Sequence, residues 1–234
     1  MVPVAWRSRC RREVNGLPPP VASGPSLPIS NLVDASERDL YWEWVRAEVD
    51  IPAASPRYAD RLGHGLDERR ILLLAQDERE KFEEEDWQAL QVAYRRLRED
   101  YLGPLLDSGT HWFHGDLTIA ELREVRIPNL TISFLPLAPS RRLAEFVTAL
   151  DSGKETPNLP NHLIYRHMRP IFDSARARGC PILIAEHREG PYVLAEGLTR
   201  TCVVLSRAMH GESAPSTLRV LLGVSSRARE WPWF

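Results

Sequence analysis

The clearest periodic pattern of the chain lies in its second quarter, where Trp87, Leu90, Tyr94, Leu97 and Tyr101 recur at alternating steps of three and four. That spacing sets them on one face of a helix, with Arg95, Arg96 and Arg98 elsewhere on its surface, and Gly103-Pro104 predicts its end. An earlier apolar stripe, Leu40, Tyr41, Trp44, Val45 and Val49, follows Ser36, with Asp39 three residues on. This is the pattern of a helix N-cap with acidic support in the first turn. A weaker helical pattern covers 66–76. Further on, 130–135 alternates as a strand, 141–150 reads as a helix closed by Ser152-Gly153, and 156–160 reads as a loop. A helical pattern over 162–178 is kinked or restarted by Pro170 and ended by Gly179. The last part reads as strand 181–185, loop 186–191, strand 192–195, helix 199–210 and strand 217–224. Strands and helices alternate irregularly and share one core, so the expected class is a mixed α/β (α+β) fold.

Three segments follow from the shifts in this pattern. Residues 1–34 carry Arg7, Arg9, Arg11 and Arg12, then Leu17-Pro18-Pro19-Pro20 and further prolines at Pro25 and Pro28. So much Pro, Gly and Ser leaves few ladder hydrogen bonds and little to bury, and a disordered arm is expected, with a docking peptide as the functional alternative. Residues 35–108 read as a small helical subdomain and 109–234 as the α/β domain. The 234 residues suffice for one sizeable core plus such a subdomain.

Composition narrows the class without naming a chemistry. Apolar residues at 43% and charged residues at 26% are ordinary for a globular protein, and a net charge of −2 gives no global attraction to nucleic acid or anionic lipid. Any polyanion would need a local basic patch. Cys10, Cys180 and Cys202 are an odd number without metal-ligand spacing, and a reducing cytoplasm is the simplest reading. No apolar run approaches the roughly 18 residues of a membrane helix, and the N-terminal arginines are not followed by the apolar core of a secretory signal.

Three local clusters invite chemistry and have plainer readings beside it. The run of Asp and Glu over 77–86 is a candidate metal or basic-partner surface, but carboxylates before a helix favour its positive N-terminal dipole, and that reading is preferred. His111, His114 and Asp116 fall within six residues, yet a zinc site needs a further ligand that the sequence does not supply. Asp116 reads instead as a helix start, with Trp112 and Phe113 in the core. Trp231, Trp233 and Phe234 are costly to leave in water, so they pack on the fold or on a second copy of the chain, as in a homodimer.

The strongest functional signal is Glu196-Gly197-Leu198-Thr199-Arg200, placed between a strand and a helix. Such a turn collects free backbone N–H groups and a positive dipole end at one spot, which suits a phosphate. Gly197 lets the backbone approach closely, Thr199 caps the helix or bonds a phosphate, and Arg200 grips the anion bidentately. Glu196 either accepts a proton and meets Mg²⁺ through a phosphate bridge, or merely pairs with Arg200.

Pro181-Ile182-Leu183-Ile184, Tyr192-Val193-Leu194 and then Gly197-Leu198-Thr199-Arg200 resemble the ParB/sulfiredoxin superfamily, whose Gly-x-x-Arg turn lies at the phosphates of a bound nucleotide. The resemblance covers about 125–225 and is closest over 179–209. It implies a ParB/sulfiredoxin-like mixed sheet with flanking helices, here preceded by the helical subdomain. It also implies a nucleotide site at Gly197, Leu198, Thr199 and Arg200, with Arg166 and Arg169 on the preceding helix as further phosphate or base contacts. Departures limit the activity implied. The turn lacks the cysteine of sulfiredoxins and the histidines of the free serine kinases, and no helix-turn-helix domain of the partition-protein kind follows. The expectation is a cytoplasmic protein using ATP or another NTP with Mg²⁺ to phosphorylate or activate a small molecule, with Glu196 as the catalytic and metal-facing residue. The alternative is a nucleotide-responsive binding module associated with DNA or a protein partner; DNA is not the favoured partner.

Overall fold

The computed structural model describes residues 29–49, 66–106, 109–129, 135–154 and 179–234. Residues 1–28 of the arm expected over 1–34, residues 130–134 of the strand expected over 130–135, the loop over 156–160 and the helix over 162–178 with Arg166 and Arg169 lie outside these residues.

Five strands form one mixed sheet: β1 (Ser30–Ala35), β2 (His111–Thr118), β3 (Ile182–Ala185), β4 (Val193–Glu196) and β5 (Thr217–Val224), in the spatial order β1-β2-β5-β3-β4. The β3–β5 pair is parallel and the other three pairs are antiparallel. Six helices flank it among the described residues: α1 (Glu37–Val49), α2 (Glu68–Gln76), α3 (Glu84–Leu106), α4 (Ile119–Glu124), α5 (Leu143–Asp151) and α6 (Leu198–Met209). The mixed α/β class expected from the sequence is what the chain forms.

Successive side chains of a strand point to opposite faces, and here both faces are covered. Phe113, Leu117, Leu183, Leu194, Val220 and Leu222 face one layer, where Leu122 of α4, Phe146 and Val147 of α5 and Val203 of α6 bury them. Trp112, Ile182, Ile184, Val193 and Leu221 face the other, against Leu40, Trp44 and Val45 of α1, Leu74 of α2 and Leu90 and Tyr94 of α3. The helices over 37–106 are therefore one layer on the sheet and share its core.

Other boundaries also move. Residues 30–34, expected in the disordered arm, belong to β1, which pairs with β2 through Ser30 and Asp116 and through Val33 and His114. The long helix α3 runs past Gly103-Pro104 to Leu106. Leu135 begins a turn. The segment around Asp116, read as a helix start, is strand β2, and the helix begins only after Thr118. There the Thr118 hydroxyl accepts from the Glu121 amide while the Glu121 carboxylate accepts from the Thr118 amide, a reciprocal capping box.

The acidic run resolves as its plainer reading predicts. Glu84, Glu85 and Asp86 occupy the first turn of α3, where the helix dipole favours them. Asp86 adds a second task, accepting hydrogen bonds from Arg69 and Arg70 and tying α2 to α3. At the C-terminal end Trp231 is buried in the α1–α3 layer of this same chain, and Arg141 donates to the carbonyls of Trp233 and Phe234.

Candidate functional site

The chain enters β3 through Gly179, Cys180 and Pro181, pressed against the flank of α1. Gly179 adopts φ +68°, and a Cβ there would lie 2.6 Å from the Glu43 carbonyl oxygen, so only glycine fits without displacement. The contact is locked from both sides: the Cys180 amide donates to Glu43 Oε2 at 2.8 Å, and Arg200 Nη1 of α6 donates to the Gly179 carbonyl.

Beside this junction opens a cleft of about 380 Å³. One wall is helical, with Trp42, Glu43 and Arg46 of α1 and with Asp77 and Arg79 from the turn after α2. The other comes from the sheet and α6, with His114 of β2, Cys180, Arg200 and Arg219 of β5. Four arginines from four separate elements thus line one opening together with Glu43 and Asp77. Arg46 is paired with Asp77 at 2.7 Å, and Arg79 with Asp39. The Arg79 guanidinium also lies over the Trp87 ring, 5.1 Å from its centroid, which fixes its plane.

Asp39 organises the helical wall. It is the third residue of α1, and its carboxylate accepts from the Ser36 amide and the Ser36 hydroxyl, both at 2.7 Å. It also receives Arg79 Nη1 and lies 3.1 Å from His114 Nε2. Burial alone would raise this carboxyl, but the hydrogen bonds from His114, Arg79 and Ser36 outweigh burial and hold it well below the usual carboxylate range. With Asp39 ionised, His114 Nε2 carries a proton and donates it. His114 Nδ1 and Arg46 Nε are buried and have no hydrogen-bond partner among the described residues.

Cys180 lies in the wall as a buried free thiol. Burial pushes it up, the Glu43 carboxylate pushes it further, and Arg200 and Arg219 only partly oppose them. It is a thiol packed against the site and a poor nucleophile.

Of the residues singled out in the sequence, Arg200 reaches the cleft, whereas Glu196, Gly197, Leu198 and Thr199 do not line it. Gly197 is the N-cap of α6 at φ +91°, packed on Pro181, with no side-chain cap. Thr199 therefore does not cap this helix. The hydroxyl that bonds the first turn is Thr201, which donates to the carbonyls of Gly197 and Leu198, each at 2.9 Å. Leu198 packs toward the opposite, apolar layer, and Glu196 closes β4 opposite Ile182. Arg166 and Arg169 fall outside the described residues.

The histidine cluster separates. His114 and Asp116 share one face of β2, while His111, three residues away from His114, projects from the other. Among the described residues no group of three His, Cys, Asp or Glu side chains could hold a metal ion. Asp39, Arg46, Arg79 and Arg219 were not candidates on sequence grounds. The one available trace was Ser36-x-x-Asp39, which reads as a helix cap and gives no hint of His114.

No family model, no curated protein and no solved structure matches the chain.

Proposed function

We propose that the cleft binds the phosphates of a nucleotide and that the protein is an NTP-dependent phosphotransferase or NTPase acting on a small molecule. The observation that carries this reading is the convergence of Arg46, Arg79, Arg200 and Arg219 on one opening beside the strand–turn–helix segment. Guanidiniums match phosphate geometry bidentately, and in phosphoryl transfer positioning and charge neutralisation supply most of the acceleration. The hairpin of β3 and β4 followed by the glycine turn and α6 is the order that a ParB/sulfiredoxin-like core implies. In this chain the phosphate contacts shift from the Gly197 turn itself to the cleft that Arg200 enters.

A Mg²⁺ that arrives with a nucleotide is held mainly by the phosphates with one or two carboxylates, and the arginines are assigned the remaining charge neutralisation. Glu196 keeps its earlier assignment only as a test: a rate unchanged in Glu196→Gln removes it from the mechanism. The reading itself is tested by thermal shift of the full chain with ATP, GTP, ADP, AMP and the corresponding nucleosides, with and without Mg²⁺. Stabilisation that grows with phosphate number and is absent with nucleosides is expected, since a ligand of the folded state raises the melting temperature. Stabilisation by DNA and by no nucleotide would favour the binding-module alternative.

A further inference from the structure

Two pairs of a carboxylate with a guanidinium stand on the helical wall of the cleft, and they are built differently. In the first, Asp39 is buried, and the Ser36 amide, the Ser36 hydroxyl, Arg79 and His114 all converge on its carboxylate. No single ligand contact can draw such a group away. In the second, Asp77 meets Arg46 alone among the described residues, Oδ1 to Nη1 at 2.7 Å. The Asp77 side chain is 54% exposed, whereas that of Arg46 is 16% exposed. Asp77 is the C-cap of α2 in the left-handed conformation, at φ +60°, so its carboxylate rides on a turn just outside the helix. Both residues line the cleft. The other carboxylate lining it, Glu43, is taken by the Cys180 amide.

We propose that Asp77 holds the place of a ligand phosphate on Arg46: a phosphate entering the cleft takes over the Arg46 guanidinium, and Asp77 leaves it. The inference rests on the phosphate-binding reading above and names the residue that sets the affinity of that site. A largely buried guanidinium without a counter-ion is costly, and Asp77 supplies one until the ligand arrives. Were Asp77 to stay, its charge would face the phosphate across the same guanidinium, and like charges at that range repel. In the exchange Arg46 keeps an anion throughout, while the Asp77 carboxylate, already half in water, is rehydrated. The phosphate is met at the Nη end of Arg46, since Nε is buried. The exchange also loosens the wall. Asp77 and Arg79 each tie the turn after α2 to α1, through Arg46 and Asp39, and the first of these ties is released. The backbone bonds of the turn, from the Asp77 amide to the Leu74 carbonyl and from the Glu78 amide to the Leu73 carbonyl, then lose a brace.

The test titrates the full chain with ATP by calorimetry in EDTA, so that no cation bridges Asp77 to the phosphates. Asp77→Asn keeps a residue suited to left-handed backbone. It should bind ATP about two- to fivefold more tightly than the wild type, the range that an exposed ion pair is worth. Glu80→Gln removes a neighbouring exposed carboxylate that does not line the cleft, and it should bind as the wild type does. Arg46→Gln should bind more weakly, and Asp77→Asn added to it should bring no gain. In the wild type, ATP should speed deuterium exchange at the Asp77 and Glu78 amides, against the protection that a ligand gives elsewhere. A wild-type chain that binds ATP neither in EDTA nor with Mg²⁺ overturns both the phosphate reading and this inference. Binding that appears only with Mg²⁺ overturns the inference alone, because displacement of Asp77 by a phosphate needs no cation. So does an Asp77→Asn chain that binds no more tightly, an equal gain from Glu80→Gln, or a gain that persists beside Arg46→Gln. Should Arg46→Gln fail to fold, deuterium exchange of the wild type decides, and amides at 77 and 78 that ATP slows or leaves unmoved overturn the assignment.

Discussion

Toward α4–α6 the sheet presents Phe113, Leu117, Leu183, Leu194, Val220 and Leu222 to a layer that is largely aliphatic. Toward α1–α3 it presents Trp112, Ile182 and Leu221 to a layer rich in Trp and Tyr, and on the same face His114 and Arg219 within β2 and β5. The ion pairs with a buried carboxylate or guanidinium, Asp39 with Arg79, Asp77 with Arg46 and Asp86 with Arg69 and Arg70, belong to the α1–α3 side, whereas the Arg142–Glu124 pair of the α4–α6 side is about half exposed at both partners. Aliphatic layers hold a fold through area removed from water, which is indifferent to direction. A layer of amphipathic rings and paired charges leaves directed donors at its margin. The candidate site opens on the side where such groups remain, and the opposite side supplies stability.

The largest expected effect tests that division on the apolar side. Phe146 of α5 is fully buried, and Phe146→Ala should cost about 3–5 kcal/mol by leaving a cavity. Urea unfolding would measure it. The nucleotide-induced shift of the remaining folded protein should be unchanged, and a lost shift would mean that the two sides are coupled.

Next in size is Asp39, on the cleft side. Its carboxyl is held below its unfolded value, so its contribution is present above about pH 4 and is lost as the pH falls. Asp39→Asn should destabilise by about 1–3 kcal/mol at pH 7, through weaker hydrogen bonds to Arg79 and His114. At pH 3 the difference between variant and wild type should shrink. A constant difference at both pH values would show that the cost comes from packing and not from charge.

Sequence made the local parts of this molecule legible and hid the assembled ones. The segment from β3 to β5 was readable to within one or two residues, because each strand is a short apolar run bounded by Gly, Pro or a helical pattern. β2 was missed because both of its faces are covered: Trp112 goes to one layer and Phe113 to the other, which erases the alternation of a half-exposed strand. β1 was missed as an exposed edge strand without an apolar stripe, next to a proline-rich stretch. The cleft was hidden for another reason. Its walls meet through tertiary contacts such as Cys180 with Glu43, 137 residues apart in the chain, and no spacing rule reaches that far. Arg200 was found for its place in a turn, yet its guanidinium faces the Gly179 junction.

An effect of similar size is expected at Gly197, where the two sides share a backbone. Gly197→Ala places a side chain at φ +91° with its Cβ 3.1 Å from Pro181 Cα, and a cost of about 1–3 kcal/mol follows from the strained backbone. Leu198→Ala, on the apolar side, should leave nucleotide binding unaltered. If Leu198→Ala weakened binding as much as Gly197→Ala, the turn would act on the ligand only through the fold.

The smallest effect on stability, and the sharpest on the comparison, belongs to Arg219. It is an exposed position of β5 at the cleft margin, in register with Asp116 of β2. Surface substitutions of this kind stay within about 0.5 kcal/mol, so Arg219→Gln should melt where the wild type melts without ligand. Its guanidinium is nevertheless one of the four that meet at the opening. The variant should therefore lose most of the ATP-induced shift, and Arg219→Lys should restore only part of it, because an ammonium keeps the charge without the fork. Arg200→Gln would be a less clean probe, since it also removes the bond to Gly179 that secures the junction. An Arg219→Gln chain that ATP still stabilises fully would detach phosphate binding from this margin and leave the charged side of the sheet a structural feature.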